Sequence, residues 1–307
     1  MRRAGVALGL VVGLAGCGGG GGGGGITTPT TPTPSPPSGW PAGTVVELID
    51  GETGAPVASA QLLVAGAPIT AGAPLAAAEP NGATVDVTAA RHLTRQTSVR
   101  TGESRLVLWP DTSEYPGEYT KALVYLNDDG SEDSLRRMAS RVRTVAVSPS
   151  AEIQADPAAM QAHRDAAAAM SIPAVGISYV VGGAADFTVA TRIEPGYTCC
   201  GPRTRACAPL WLGTSGEITR AQIVFCGVEY SHSAGTAAHE LGHTFGLRHS
   251  HTSWDLMYRY YSESRWTEPT GRETLTMALM LQRRAGTVWP DNDRNTQAAS
   301  VRFEIVE

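Results

Sequence analysis

The sequence predicts two folded parts. A small all-β sandwich covers residues 43–110, and an α/β (α+β) domain with a twisted, mostly parallel sheet and one chemistry-bearing helix covers 111–307. Three observations lead there. Short β-type runs recur without a helical period before residue 110. Strand-like and helix-like segments alternate after Val142. Residues 239–249, HELGHTFGLRH, set three histidines at helix-and-turn spacing.

Ahead of both parts lies a delivery segment. Arg2 and Arg3 precede a short apolar run, Val6 to Leu14, which suits an export signal and is too short to span a bilayer. Leu14-Ala15-Gly16-Cys17 resembles a bacterial lipobox, so residues 1–16 are expected to be a signal peptide and Cys17 the lipidated first residue. Residues 17–42 begin with a run from Gly18 to Gly25 and continue as a Thr/Pro-rich stretch. Such a chain buries too little apolar surface to fold and is expected to be a tether. Glycine after Cys17 resembles lipoproteins sorted outward, which implies an exported bacterial lipoprotein at the outer membrane or cell surface.

From residue 43, β-type runs at Thr44–Ile49, Gln61–Val64, Thr84–Thr88, Thr97–Arg100 and Leu106–Trp109 are separated by Asp50-Gly51, Thr53-Gly54 and Asn81-Gly82. This pattern predicts an antiparallel sandwich. The run VVELIDGETGAPVASAQLLVAG resembles the opening of carboxypeptidase-regulatory-like, transthyretin-like domains. A rigid spacer is the expected role, since no chemical constellation is found there.

In the second part, Asp111 to Tyr119 reads as a connection and Ala122 to Leu126 as a strand. Asn127-Asp128-Asp129-Gly130 with Glu132 and Asp133 misses calcium-loop spacing and reads as a solvated turn. Val142 to Val147 is a strand. Asp156 caps an alanine-rich helix with Pro157 at its first position, ending near Met170, and its His163 reads as a surface or packed residue. Strands are expected at Gly176–Val181, Phe187–Ile193, Leu210–Leu212 and Glu217–Phe225. The next helix starts near Ser233 or Ala234 and ends at Gly246. A last helix has a capping box in Thr270 and Glu273, with Gly286 past its end.

The spacing H-E-x-x-H-x-x-G-x-x-H states the chemistry. His239 and His243, at i and i+4, share a helix face and can direct two imidazoles at one Zn2+. Gly246 permits the positive φ of a sharp turn that returns His249 as a third nitrogen. Three protein ligands leave a position for water, and Glu240 stands where it can take that water's proton. A helix carrying these residues by chance is the bland alternative.

With Ser253-Trp254-Asp255-Leu256-Met257-Tyr258 following, this stretch resembles the metzincin clan of zinc endopeptidases, and Ser250 after the third histidine is similar to the matrixin-like branch. The resemblance implies a metzincin-like catalytic fold, Met257 in a methionine turn beneath the histidines, and Glu240 activating a water on zinc. It departs from the clan at Arg259, where some members carry a tyrosine near the metal; Tyr258 and Tyr260 flank that position as candidates for oxyanion or substrate support. The implied substrate is a protein or peptide. It would bind extended along a sheet edge near Pro209–Gly213, with Tyr258 to Pro269 as a pocket wall.

Cys199, Cys200, Cys207 and Cys226 form an even set in an exported chain, so two disulfides are expected. Cys199–Cys207 with Cys200–Cys226 and Cys199–Cys226 with Cys200–Cys207 both remain open, since adjacent cysteines rarely pair. The net charge of −5, without a basic stripe, gives no sign of nucleic-acid binding. Lys121 is the only lysine among many arginines, a composition that suggests a GC-rich bacterial genome. A monomer held to a membrane by a lipid anchor is expected. The competing readings are a surface-binding lipoprotein with a vestigial zinc site and a metal-dependent hydrolase of another bond.

Overall fold

A computed structural model describes residues 39–259, 266–294 and 302–306. The described residues belong to one compact unit. The signal, lipobox, Cys17 and polyglycine run lie outside the described residues.

Turn-forming glycines and alternating apolar positions make the first part β-structured. Its strands are β1 (Glu47–Asp50), β2 (Ala60–Val64), β3 (Ala67–Ile69), β4 (Thr84–Ala89), β5 (Arg95–Ser98) and β6 (Arg105–Leu108). The order β3-β2-β4-β5 forms an antiparallel four-stranded sheet. In β4, buried Val85, Val87 and Ala89 alternate with more exposed neighbours, the period-2 signature of a strand packed on one face. β1 and β6 form a separate pair, and it is parallel. The antiparallel expectation missed this because the pairing is long-range and leaves no local turn signal. Trp40, which the sequence reading placed in the tether, is buried in this core with Leu48, Leu62, Val87 and Leu108. Its indole N–H is 3.1 Å from the Arg100 carbonyl.

The second part begins with a correction. Ala122 to Leu126 is not a strand: Gly117–Tyr125 form the helix α1. Asp111 Oδ1 accepts from Gly117 N at 2.8 Å and anchors its start. The apolar run looked strand-like because α1 is buried nearly all round and its only polar strip, Glu118 and Lys121, precedes the run.

There follow β7 (Arg137–Met138), β8 (Thr144–Pro149), α2 (Ala151–Gln154), α3 (Pro157–Met170), β9 (Ser178–Val181), β10 (Phe187–Ile193), β11 (Ala206–Leu212), β12 (Glu217–Phe225), α4 (Val228–Ser231), α5 (Ala234–Phe245), α6 (Gly271–Met280) and β13 (Arg302–Val306). Asp156 caps α3 as expected, accepting from Ala158 N and Ala159 N. The sheet runs β13-β11-β12-β10-β8-β9, with β7 also paired to β12. Strands β9, β8, β10, β12 and β7 pair in parallel, whereas β11 and β13 are antiparallel. The sheet is therefore mixed, and β13 is a strand that the sequence reading did not assign. α3 and α5 pack against each other, and their apolar faces join the strands in one large core that includes Val145, Ile223, Ala238, Leu241 and Phe245.

The β part is fastened to the segment after α6. Gln96 N donates to Asp291 O and Asp293 N to Gln96 O, both at 2.9 Å. Beside this bridge, the fully buried Asp291 carboxylate accepts from Arg95 Nη1 at 3.1 Å and from Arg283 Nε at 2.7 Å.

Candidate active site

α5 begins where Ser233 Oγ accepts from Thr236 N, and alanines at 234, 237 and 238 favour the helical state. Every residue from Gly235 to Phe245 is buried, so the helix runs through the core with His239, Glu240 and His243 on it. Gly246 ends it at φ +123°, a conformation that disfavours a side chain; an added Cβ would lie 2.1 Å from the Arg136 carbonyl oxygen. This stop brings His249 against the helix. Its ring centroid is 5.4 Å from that of His239 and 4.8 Å from that of His243.

Hydrogen bonds on the far side of each ring assign its tautomer. His239 Nδ1 is 2.7 Å from the Leu256 carbonyl and His243 Nδ1 is 2.9 Å from the Leu247 carbonyl. A carbonyl only accepts, so both Nδ1 atoms carry hydrogen and both Nε2 atoms present lone pairs. Burial, reinforced by the neighbouring imidazoles, keeps both rings neutral: it pushes the pKa of His239 down to about 3 and that of His243 well below the usual histidine value. The two Nε2 atoms nevertheless face each other at 3.1 Å. Two lone pairs at that distance repel unless a cation lies between them. Tetrahedral zinc, with bonds near 2.0–2.1 Å, separates its nitrogen ligands by about 3.3 Å. His249 Nε2 is buried without a hydrogen-bond partner, and the candidate ligand atoms of His239, His243 and His249 all lie within 4.8 Å of one another. The three residues fit a metal such as zinc.

Asp128 completes the triad of supports. Its carboxylate accepts from His249 Nδ1 at 2.8 Å, leaving Nε2 to face the cluster. Burial raises the Asp128 pKa, but the hydrogen bond from His249 and the nearby Arg259 and Arg248 guanidiniums outweigh it and the net shift is downward. The sequence reading had assigned this acidic stretch to a solvated turn; 121 residues separate the partners, and no spacing rule joins them.

Glu240, next to His239 on α5, is 3% exposed. Met257 is fully buried beneath α5, and a Cβ on Gly242 would lie 2.3 Å from its sulfur. The turn that holds Met257 is itself held by Glu273: Oε1 accepts from Met257 N at 2.7 Å and Oε2 from Leu256 N at 3.1 Å. Glu273 also closes the capping box of α6 with Thr270. Burial, and then the charge of Asp255, raise its pKa. One residue thus ties α6 to the carbonyl that orients His239, a role beyond the capping function legible in sequence.

Tyr258 is half-buried at the end of the methionine turn, bridged to Ser250. Tyr260 lies outside the described residues, as does half of the expected pocket wall, residues 260–265. The disulfides are Cys199–Cys207 and Cys200–Cys226, the first of the two open pairings. The first bridge pins the loop before β11 to β11 itself, and the second pins it to Cys226 at the end of β12. His163, buried between the Ala159 carbonyl and Thr191 Oγ1, belongs to packing and not to the cluster. The expected substrate edge at Pro209–Gly213 is not open, since β11 pairs there with β13.

The matrixin family model matches residues 217–271, from β12 through α5 and the methionine turn into α6. The match relates this span to metzincin-clan peptidases, a zinc-dependent group, and it contains all three clustered histidines. No curated protein matches the chain.

Proposed function

We propose that the chain is a zinc endopeptidase that hydrolyses protein or peptide substrates outside the cytoplasm. The observation that supports this most is the convergence of three imidazole nitrogens on one buried point, with the buried Glu240 adjoining His239 in the chain. His239, His243 and His249 would hold the zinc ion, which would supply Lewis acidity and lower the pKa of the attacking water.

The remaining chemistry belongs to the chain. Glu240 accepts the proton of the attacking water and delivers it to the departing amine, so one carboxylate serves as base and then as acid. Asp128 and the Leu256 and Leu247 carbonyls hold the imidazoles in the tautomer that turns Nε2 inward. The buried helix α5 keeps bulk water from the reacting atoms. The intact Glu240 favours this reading over a vestigial site in a surface-binding lipoprotein.

Metal analysis paired with a casein or peptide-library digest tests the function. One zinc per chain and peptide-bond cleavage are expected. Glu240→Gln should keep the zinc and lose about 10²–10⁴-fold in rate; near-wild-type turnover by that variant would remove the mechanism. Cleavage of another bond class alone would favour the broader hydrolase reading.

The proposal extends to location. The Leu14–Cys17 motif and the following Gly/Thr/Pro-rich stretch support a monomeric lipoprotein tethered by the segment between Cys17 and Trp40, with the β part that begins at Trp40 as spacer. Intact mass of the mature chain tests it, and an unmodified N-terminus elsewhere than Cys17 would argue against the anchor.

A further inference from the structure

β13 lies where an extended peptide substrate would be expected to bind. One flank of β11 is taken by β12, and the other is the sheet edge that the sequence reading assigned to substrate. β13 runs antiparallel along that flank, with Ala208 opposite Val306, Leu210 opposite Glu304 and Trp211 opposite Phe303. Leu126, Asn127, Asp128 and His249 line a cavity whose other wall is Glu304, Ile305 and Val306. The strand therefore borders the third histidine of the cluster.

The contacts are those a peptide would use. Backbone pairing along β11 is sequence-tolerant, and side chains at alternate positions supply selectivity. The Glu304 carboxylate pairs with the buried Arg136 guanidinium. The Phe303 ring packs on Trp211 with centroids 5.0 Å apart, and Phe303 is still 48% exposed. Val306 is buried against the main core, and Ile305 packs on the disulfide cluster. Arg136 is also the residue whose carbonyl lies against Gly246, at the stop that returns His249. Recognition of an acidic side chain thus occurs next to the turn that builds the site.

We infer that the β11 edge is a docking groove for an extended peptide bearing an acidic side chain, that Arg136 selects that acid, and that the chain fills the groove with its own β13 and so holds the site closed. Latency rests on the peptidase reading; the groove does not. A strand supplied by the same chain competes at a high effective concentration, so a free peptide must displace it.

The test uses the full chain and a labelled peptide of the sequence of residues 301–306. Glu304→Arg places a second guanidinium opposite Arg136 and should expel β13; Phe303→Ser, a milder change at an exposed position, is the second variant. Both should bind the peptide at least about tenfold more tightly than wild type, which carries the tethered competitor. A peptide with Gln in place of its Glu should bind more weakly. Equal peptide affinity for wild type and both variants would overturn the groove. Cleavage of an unrelated peptide substrate is then measured in the same chains, and both variants should be faster. Unchanged cleavage despite peptide capture would overturn latency while leaving the peptidase reading. Peptide capture without cleavage by any chain would support the groove and remove the peptidase reading.

Discussion

Asp128 Oδ1 and His249 Nδ1 lie 2.8 Å apart, joining an acidic loop after α1 to the third imidazole of the cluster. The carboxylate accepts the hydrogen that would otherwise leave the tautomer of His249 undetermined. Partners of this kind commonly govern metal affinity without touching the metal.

Asp128→Ala should therefore weaken zinc binding by about 10–100-fold while leaving the fold intact. Asp128→Asn, whose amide oxygen still accepts, should fall between the variant and wild type. Chelator competition measures this. Unchanged affinity in Asp128→Ala would show that the loop is only a neighbour of the site.

Acid should destabilise the metal-free chain well before its carboxylates titrate. In the folded state burial holds the pKa of His239 near 3 and that of His243 well below the ordinary value, whereas in the unfolded chain both take up protons below about 6.5. The unfolded state thus binds more protons, so stability is complete above pH ~6.5 and falls below it, by up to ~1.4 kcal/mol per pH unit for each ring. Denaturant titrations of apo protein between pH 7 and 4.5 check the sign. A flat profile would contradict the buried, neutral state of the two rings.

Gly242 and Met257 should behave as a coupled pair. A Cβ at 242 meets the methionine sulfur at 2.3 Å in a fully buried setting, so Gly242→Ala should cost about 1–3 kcal/mol through overpacking. Adding Met257→Ala to Gly242→Ala should cost less than the sum of the two single changes. Chemical denaturation of the four chains of the cycle reads the coupling, and strict additivity would show that the two positions do not press on one another. Gly246→Ala should be worse than Gly242→Ala, since its Cβ meets the Arg136 backbone and its φ is +123°.

Asp291→Ala should destabilise the whole unit Pro36–Glu307. It removes the carboxylate shared by the Arg95 and Arg283 guanidiniums, 5% and 2% exposed, leaving Arg95 only its longer ion pair with Asp293, at about 3–5 kcal/mol. One cooperative transition is expected to shift to lower denaturant. A transition confined to residues 43–110 would mean that the β part unfolds independently.

The site was legible in sequence to the extent that it is local. His239, Glu240 and His243 share one helix, and Gly246 must turn the chain for His249 to return; helical period and the conformational freedom of glycine suffice to read this. The capping residues Asp156 and Thr270 were legible for the same reason, since each acts within three residues of itself. The pairing of Cys199 with Cys207 was not, because two pairings satisfied the same count and only the placement of β11 beside β12 selects one. The apolar run before Leu126 misled because the helix is buried on most sides and its few outward polar residues, Glu118 and Lys121, lie ahead of the run. Asp128 beside His249, Glu273 beneath Met257, the parallel pairing of β1 with β6 and the seat of β13 on β11 all join residues far apart in the chain. Local propensity depends only on neighbouring residues, so it specified the ligands and the turn. Which carboxylate orients a ligand and which strand covers an edge depend on burial and on hydrogen-bond demands that exist only once distant segments share a core, and the tertiary structure decided them.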